Sequence, residues 1–164
     1  MASTLDLLER LNKHAVEYVL VGGVAAVVHG SQLVTGDVDI CAPLDAPNLA
    51  KIVAAISDLQ PKLRMTPDRR PLPLESEKLA GFKNLYLETD LGQLDVLSEI
   101  AGVGDYGAVA LHTVTLDLGG TTCRVLDLDA LILSKKALGR PRDLQAVIEL
   151  EAIRQGMRSN EHSD

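Results

Sequence analysis

Asp37 and Asp39 alternate with Val38 and Ile40, and a period of two is the signature of a strand with one buried and one open face. The apolar pair can pack underneath while both carboxylates project together above. Upstream, Tyr18–Val21 is a short apolar run ending in Gly22-Gly23, and Val24–His29 is a small-residue stretch that Gly30 can close as a helix. The order is strand, glycine turn, short helix, strand. Pro43 stops the second strand, which covers Asp37–Ala42.

Later segments add strands of a different kind. Asn84–Glu88 and Gln93–Ser98 meet near Asp90-Leu91-Gly92, while His112–Leu118 and Thr121–Leu126 flank Gly119-Gly120, a strong hairpin signal. Helices are expected over residues 3–15, where Leu5, Leu8 and Leu11 recur at helical spacing behind Ser3 or Thr4, and over Asn48–Leu59. A further helix starts at Asp127 and runs to about Leu138, closed by Gly139, and a last one begins near Pro141. Gln60 to about Leu79, with Pro61, Pro67, Pro71 and Pro73, is irregular and long for a compact domain, so it is read as mobile or functional.

The fold class is therefore α/β (α+β), with helices packed on one mixed sheet. Residues 1–126 form the core, 127–158 a C-terminal helical segment packed on it, and 159–164 a flexible tail.

Composition narrows the function classes. A net charge of −7 and a pI near 5.0 argue against broad adhesion to nucleic acid. Aromatic residues, at 2%, are too few for a base-stacking platform. No apolar run reaches the length of a membrane span, and the N-terminus lacks the basic start and apolar stretch of a signal peptide, so no membrane association is expected. Cys41 and Cys123 lie far apart in strand-like segments. They read as small buried hydrophobes, with the cytoplasm as the default compartment.

Two carboxylates ~4–5 Å apart repel by roughly 3–4 kcal/mol at an effective dielectric of ~20. A fold keeps such a pair by protonating one member or by binding a cation, and hard oxygen donors suit Mg²⁺. Asp95, between Leu94 and Val96, has the same strand setting, so three carboxylates converge if the two strands are neighbours. Gly22-Gly23 lets backbone N–H groups approach an anion. The chain has no G-x-x-x-x-G-K-[ST], and neither a P-loop nor a Rossmann reading is supported. Asp127-Leu128-Asp129 repeats the Asp-x-Asp form, but there the helix cap and first-turn acid are the reading.

Lys135, Lys136, Arg140 and Arg142 crowd one corner between two helices. They read either as helix-terminal and solvated charge or as a cationic wall for a triphosphate. Asp143 reads as a first-turn acid more readily than as a catalytic base, Arg69, Arg70 and Lys83 as loop charge more readily than as a lid over bound phosphates, and His29 as a packing or hydrogen-bonding residue more readily than as a catalytic one.

Val21-Gly22-Gly23, thirteen residues, then Asp37-Val38-Asp39-Ile40 resembles the nucleotidyltransferase superfamily related to DNA polymerase beta. Gln93-Leu94-Asp95-Val96-Leu97 is similar to the later strand that carries that family's third carboxylate. His29-Gly30, Thr35 and the segment from Lys135 to Arg140-Pro141-Arg142-Asp143 resemble its small prokaryotic AbiEii-like branch, many members of which are toxin–antitoxin components. Two departures stand out: Gly23 where many members have serine, and Leu33 where the branch often has arginine.

The resemblance implies a nucleotidyltransferase fold and an NTP such as ATP as substrate. It implies two Mg²⁺ ions (Mn²⁺ as a substitute) held by Asp37, Asp39 and Asp95, with Asp95 also helping to deprotonate the acceptor. Gly22, Gly23, Lys135 and Arg140 would bind the nucleotide. The acceptor hydroxyl would belong to tRNA, a protein side chain or a small molecule, and a toxin–antitoxin partner is implied by the branch. The alternative is a catalytically silent interaction or antitoxin-type protein, and a third reading is an aminoglycoside-modifying enzyme.

Overall fold

The computed structural model describes residues 2–163. The helices are α1 (Ala2–Lys13), α2 (Gly22–Val28), α3 (Ala46–Ile56), α4 (Tyr106–Val109), α5 (Leu128–Leu138) and α6 (Pro141–Glu161). The strands are β1 (Val19–Val21), β2 (Val38–Cys41), β3 (Lys62–Leu63), β4 (Asn84–Thr89), β5 (Gly92–Leu97), β6 (Glu99–Ile100), β7 (Gly104–Asp105), β8 (Thr113–Asp117) and β9 (Thr122–Leu126).

Seven strands make one sheet in the order β3-β4-β5-β2-β1-β9-β8, and β6 and β7 form a separate hairpin. Within the large sheet β2 runs parallel to β5 and β1 parallel to β9, while the remaining pairs are antiparallel. The mixed sheet expected from the sequence is thus present, and Asp-x-Asp stands near its middle.

Alternation sorts the faces. Val38, Ile40, Leu85, Leu87, Leu94 and Val96 are buried to within 1% of their surface. Their neighbours Asp39, Tyr86 and Asp95 are only partly covered. Leu7, Leu8 and Leu11 of α1 and Leu49, Ile52 and Ile56 of α3 complete the same hydrophobic cluster. Removing one such leucine side chain costs about 2–5 kcal/mol in a close-packed core. At the ends of β1 and β2 away from the acidic pair, the buried Asn48 amide donates to Glu17 O at 3.0 Å and Pro43 O at 2.9 Å. Its oxygen accepts from Glu17 N at 2.8 Å, so one side chain pins both strand ends.

Terminal signals locate the later helices well. Asp127 caps α5 by accepting from Ala130 N at 2.8 Å, Gly139 closes it at φ +65°, and Pro141 opens α6. The β8–β9 turn puts Gly119 and Gly120 at φ +72° and +97°, which L side chains resist. α3 begins earlier than expected, at Ala46, because Asp45 accepts from Asn48 N at 2.9 Å.

Three stretches depart from expectation. Gln60–Leu79 is not structureless: β3 adds to the sheet edge beside β4, Leu72 and Leu79 are buried, and Ser76–Leu79 forms a 3₁₀ turn. The β6–β7 hairpin and α4 have no counterpart in the sequence reading. α6 continues to Glu161, past the Ser159 where fraying was expected. Asp164 lies outside the described residues.

A G-x-G-x-x-G spacing does occur, at Gly102-Val103-Gly104-Asp105-Tyr106-Gly107. It opens a four-residue helix after a two-residue strand, not the crossover of a dinucleotide fold. A Cβ at Gly102 would sit 2.9 Å from Leu133 O, so that glycine serves close packing on α5. No helix among the described residues is long and apolar enough to cross a membrane.

Candidate active site

Strand register brings the predicted carboxylates together. Asp39 pairs with Asp95 across the parallel β2–β5 ladder, Val21 lies opposite Asp39 on β1, and Tyr86 lies opposite Asp95 on β4. Asp37 stands one residue before β2, on the same side as Asp39. Gln93, oriented with its side-chain NH₂ toward Asp37, donates to both carboxylate oxygens at 3.0 Å. All three aspartates line one cleft of about 750 Å³, together with Gly22, Lys135 and Arg140.

Gly22 is required by close approach. Its φ is +68°, and a Cβ there would lie 2.2 Å from Asp39 Oδ2. At Gly23 a Cβ would meet Thr35 Oγ1 at 2.7 Å, so the Thr35 side chain fills the space that a larger residue would need. A smaller adjoining hollow of about 210 Å³ is lined by Gly23, Thr35, Asp37, Asp39, Lys135 and Arg142.

The crowding of charge is reflected in Asp39. Burial first, then the negative charges of Asp95 and Asp37, push its carboxyl up to about 6, against the opposing pull of Lys135 and Arg142. A raised carboxylate among like charges in a cleft is a recognised mark of a functional site.

The basic wall is organised by an acid. The Asp143 side chain is fully buried; its Oδ2 accepts from Arg140 Nε at 2.5 Å, and Lys135 Nζ is 3.5 Å from its Oδ1. Arg140 N also donates to Asp143 Oδ2, at 3.3 Å. Burial pushes the Asp143 carboxyl up, but the Arg140 hydrogen bond and the charges of Lys135 and Arg140 hold it below its ordinary value. Asp143 is therefore a first-turn acid, as expected, and also the anchor of two cations. Arg142, also on this wall, makes no ion pair among the described residues and lines both the cleft and the hollow.

One contact has no forerunner in the sequence. Arg64, just past β3, makes an ion pair and hydrogen bond with Asp95 Oδ1. Its guanidinium carbon lies 5.8 Å from the centre of the Tyr86 ring, and its backbone N donates to Tyr86 O at 2.9 Å. No local motif marks Arg64. Arg69 and Arg70 carry surface charge, as expected, and pair with Glu88 and Asp68, while Asp129, in the first turn of α5, pairs with Arg154. Lys83 is exposed. His29 Nε2 lies 2.8 Å from Leu126 O, a structural hydrogen bond.

Asp37 and Asp39 suit a divalent cation, since they offer hard oxygen donors whose mutual repulsion such an ion relieves. Among the described residues no three His, Cys, Asp or Glu side chains are gathered closely enough to hold one ion. Asp95, which would be the third, is joined to Arg64.

No protein-family model and no curated protein matches the chain. Among solved structures, the chain is similar to the 1.87 Å crystal structure of a candidate nucleotidyltransferase from Thermotoga maritima. The TM-score is 0.52 at 17% identity, with 93% of this chain and 89% of that one covered. At that identity the likeness establishes a shared fold, and it does not single out the AbiEii-like branch.

Proposed function

We propose that this protein is a metal-dependent nucleotidyltransferase that moves a nucleoside monophosphate from an NTP to a hydroxyl acceptor. The observation that carries the reading is the Asp39–Asp95 register in a cleft that also holds Asp37, Gly22 and a wall of lysine and arginine. Asp37 and Asp39 are the residues that would hold Mg²⁺, or Mn²⁺ in its place. When bound, the ion supplies charge neutralisation at the phosphates and polarises the phosphoryl centre.

The chain's own residues divide the remaining work. Gly22 and Gly23 would meet the phosphates through their backbone N–H groups, since the space beside their Cα atoms is taken by Asp39 and Thr35. Arg142 and Lys135 place positive charge on the side of the cleft facing Asp39. Arg140, held by Asp143, stiffens that wall. Asp95 would accept the proton of the acceptor hydroxyl, whose oxygen attacks the α-phosphorus as pyrophosphate leaves. The acceptor is a hydroxyl of tRNA, of a partner protein or of a small molecule.

A second reading is a catalytically silent member acting as an interaction or antitoxin-type protein, and the Arg64–Asp95 pair favours it. It predicts a partner complex that survives Asp39→Ala, and no pyrophosphate release from any NTP. Calorimetric titration of NTPs with Mg²⁺ separates the nucleotide-binding reading from one without it. Wild type is expected to bind and Asp37→Asn to lose binding, whereas equal binding in both, or none in either, counts against nucleotidyl transfer.

A further inference from the structure

The irregular segment between α3 and β4 sends three arginines toward the sheet edge, and they end differently. Arg69 and Arg70 are exposed and pair with surface acids. Arg64 turns inward across Tyr86, and its side chain and that of Asp95 keep only 20% and 15% of their surface. Arg64, Tyr86, Asp95 and Asp39 thus form a row across β3's end, β4, β5 and β2.

The chemistry of that row differs from an open carboxylate cluster. A guanidinium hydrogen-bonded to a carboxylate balances its charge, and here it engages one oxygen, Asp95 Oδ1, leaving Oδ2 to face the acceptor. Arginine also stays charged at every physiological pH, so this neutralisation is permanent while the pair is closed. Tyr86 supports the guanidinium from one side with its ring face. Asp37 and Asp39 lie on the other side of Asp95 and, among the described residues, have no arginine or lysine within ion-pair distance.

We infer that Arg64 stands in for a second cation at Asp95, so that the cleft takes a single divalent ion, held by Asp37 and Asp39. This rests on the nucleotidyl-transfer reading and narrows it: the charge beside the attacking hydroxyl comes from a side chain, and only the charge beside the phosphates comes from a metal. Arg64 is then a positioning residue that fixes the orientation of Asp95.

Counting bound Mn²⁺ tests it, by calorimetry together with the electron paramagnetic resonance signal of the unbound ion. Wild type should bind one ion, Arg64→Gln two, and the double variant Arg64→Gln/Asp95→Asn one again. The double variant, which replaces the ion pair with two neutral amides, should keep the affinity for the single ion within about twofold of wild type, and Asp37→Asn should abolish it. Two ions in wild type would overturn the inference and leave nucleotidyl transfer standing. So would an unchanged count in folded Arg64→Gln, or a loss beyond about twofold in the double variant. No ion in any form would overturn both. If Arg64→Gln fails to fold, the wild-type count and the affinity of the double variant decide.

Discussion

Replacing Asp39 by asparagine removes one negative charge from a partly covered trio while keeping nearly the same shape. In the folded protein burial, followed by Asp95 and Asp37, raises this carboxyl from its ordinary value of 3.8 to about 6. A shift of that size corresponds to about 3 kcal/mol as an upper bound, and partial solvent screening brings the expected effect to roughly 1–3 kcal/mol. The sign follows from proton counting: between pH 4 and 6 the folded state keeps a proton that the unfolded state has lost. Asp39 therefore costs the wild type stability progressively as pH rises through that window, and the cost is complete above about pH 6. Asp39→Asn should be more stable than wild type by roughly 1–3 kcal/mol at pH 7.5 and about equal at pH 3.5. For a chain of this size that is a rise in Tm on the order of 2–10 °C. Urea denaturation in chelator at both pH values measures it. Millimolar Mg²⁺ should close the gap at pH 7.5 by stabilising only the wild type. An Asp39→Asn protein no more stable than wild type at pH 7.5 would refute the account of stored charge repulsion.

Three further outcomes are expected. Gly22→Ala places a Cβ 2.2 Å from Asp39 Oδ2 at a backbone φ of +68°; it should lose about 1–3 kcal/mol in chemical denaturation and its cation affinity with it. Asp143→Asn leaves Lys135 and Arg140 without their buried anchor, which should cost about 2–4 kcal/mol. Because the Asp143 carboxyl is held low, its contribution is present at neutral pH and lost as pH falls through its folded-state value, so thermal melts of variant and wild type should converge in acid. Arg142→Ala removes a cation with no ion-pair partner among the described residues; calorimetry should show NTP affinity falling about tenfold, with stability within about 0.5 kcal/mol of wild type.

What the sequence displayed was local chemistry. The alternation around Asp39 and Asp95 placed both on strands with the carboxylates on one face, and the register confirms them as direct neighbours. Asp127, Gly139 and Pro141 marked helix ends because caps act within a turn. Arg64 stayed hidden since its partner is 31 residues away and nothing beside it in the chain changes with that contact. β3 was missed because two residues display no period, and its pairing depends on β4. Asp143 was legible as a helix acid, but its hold on Lys135 depends on α5 and α6 packing together, a tertiary outcome. At Gly102–Gly107 the spacing alone misleads, and only the short elements around it show that no dinucleotide loop is formed.

The parallel pairing of β1 with β9 has a consequence for how the chain comes to be folded. Leu20 finds Val125 about a hundred residues later, a contact of high sequence separation and correspondingly slow closure. At ~5–20 residues per second of synthesis, the outer edge of β1 stays open for roughly 5–20 s after it is made. That edge belongs to Val19–Val21, three residues with essentially no exposed surface in the finished sheet. An apolar strand with unpaired N–H and C=O groups is a template for wrong partners. The interval before β9 emerges is thus one in which the nascent chain exposes an unpaired apolar strand edge.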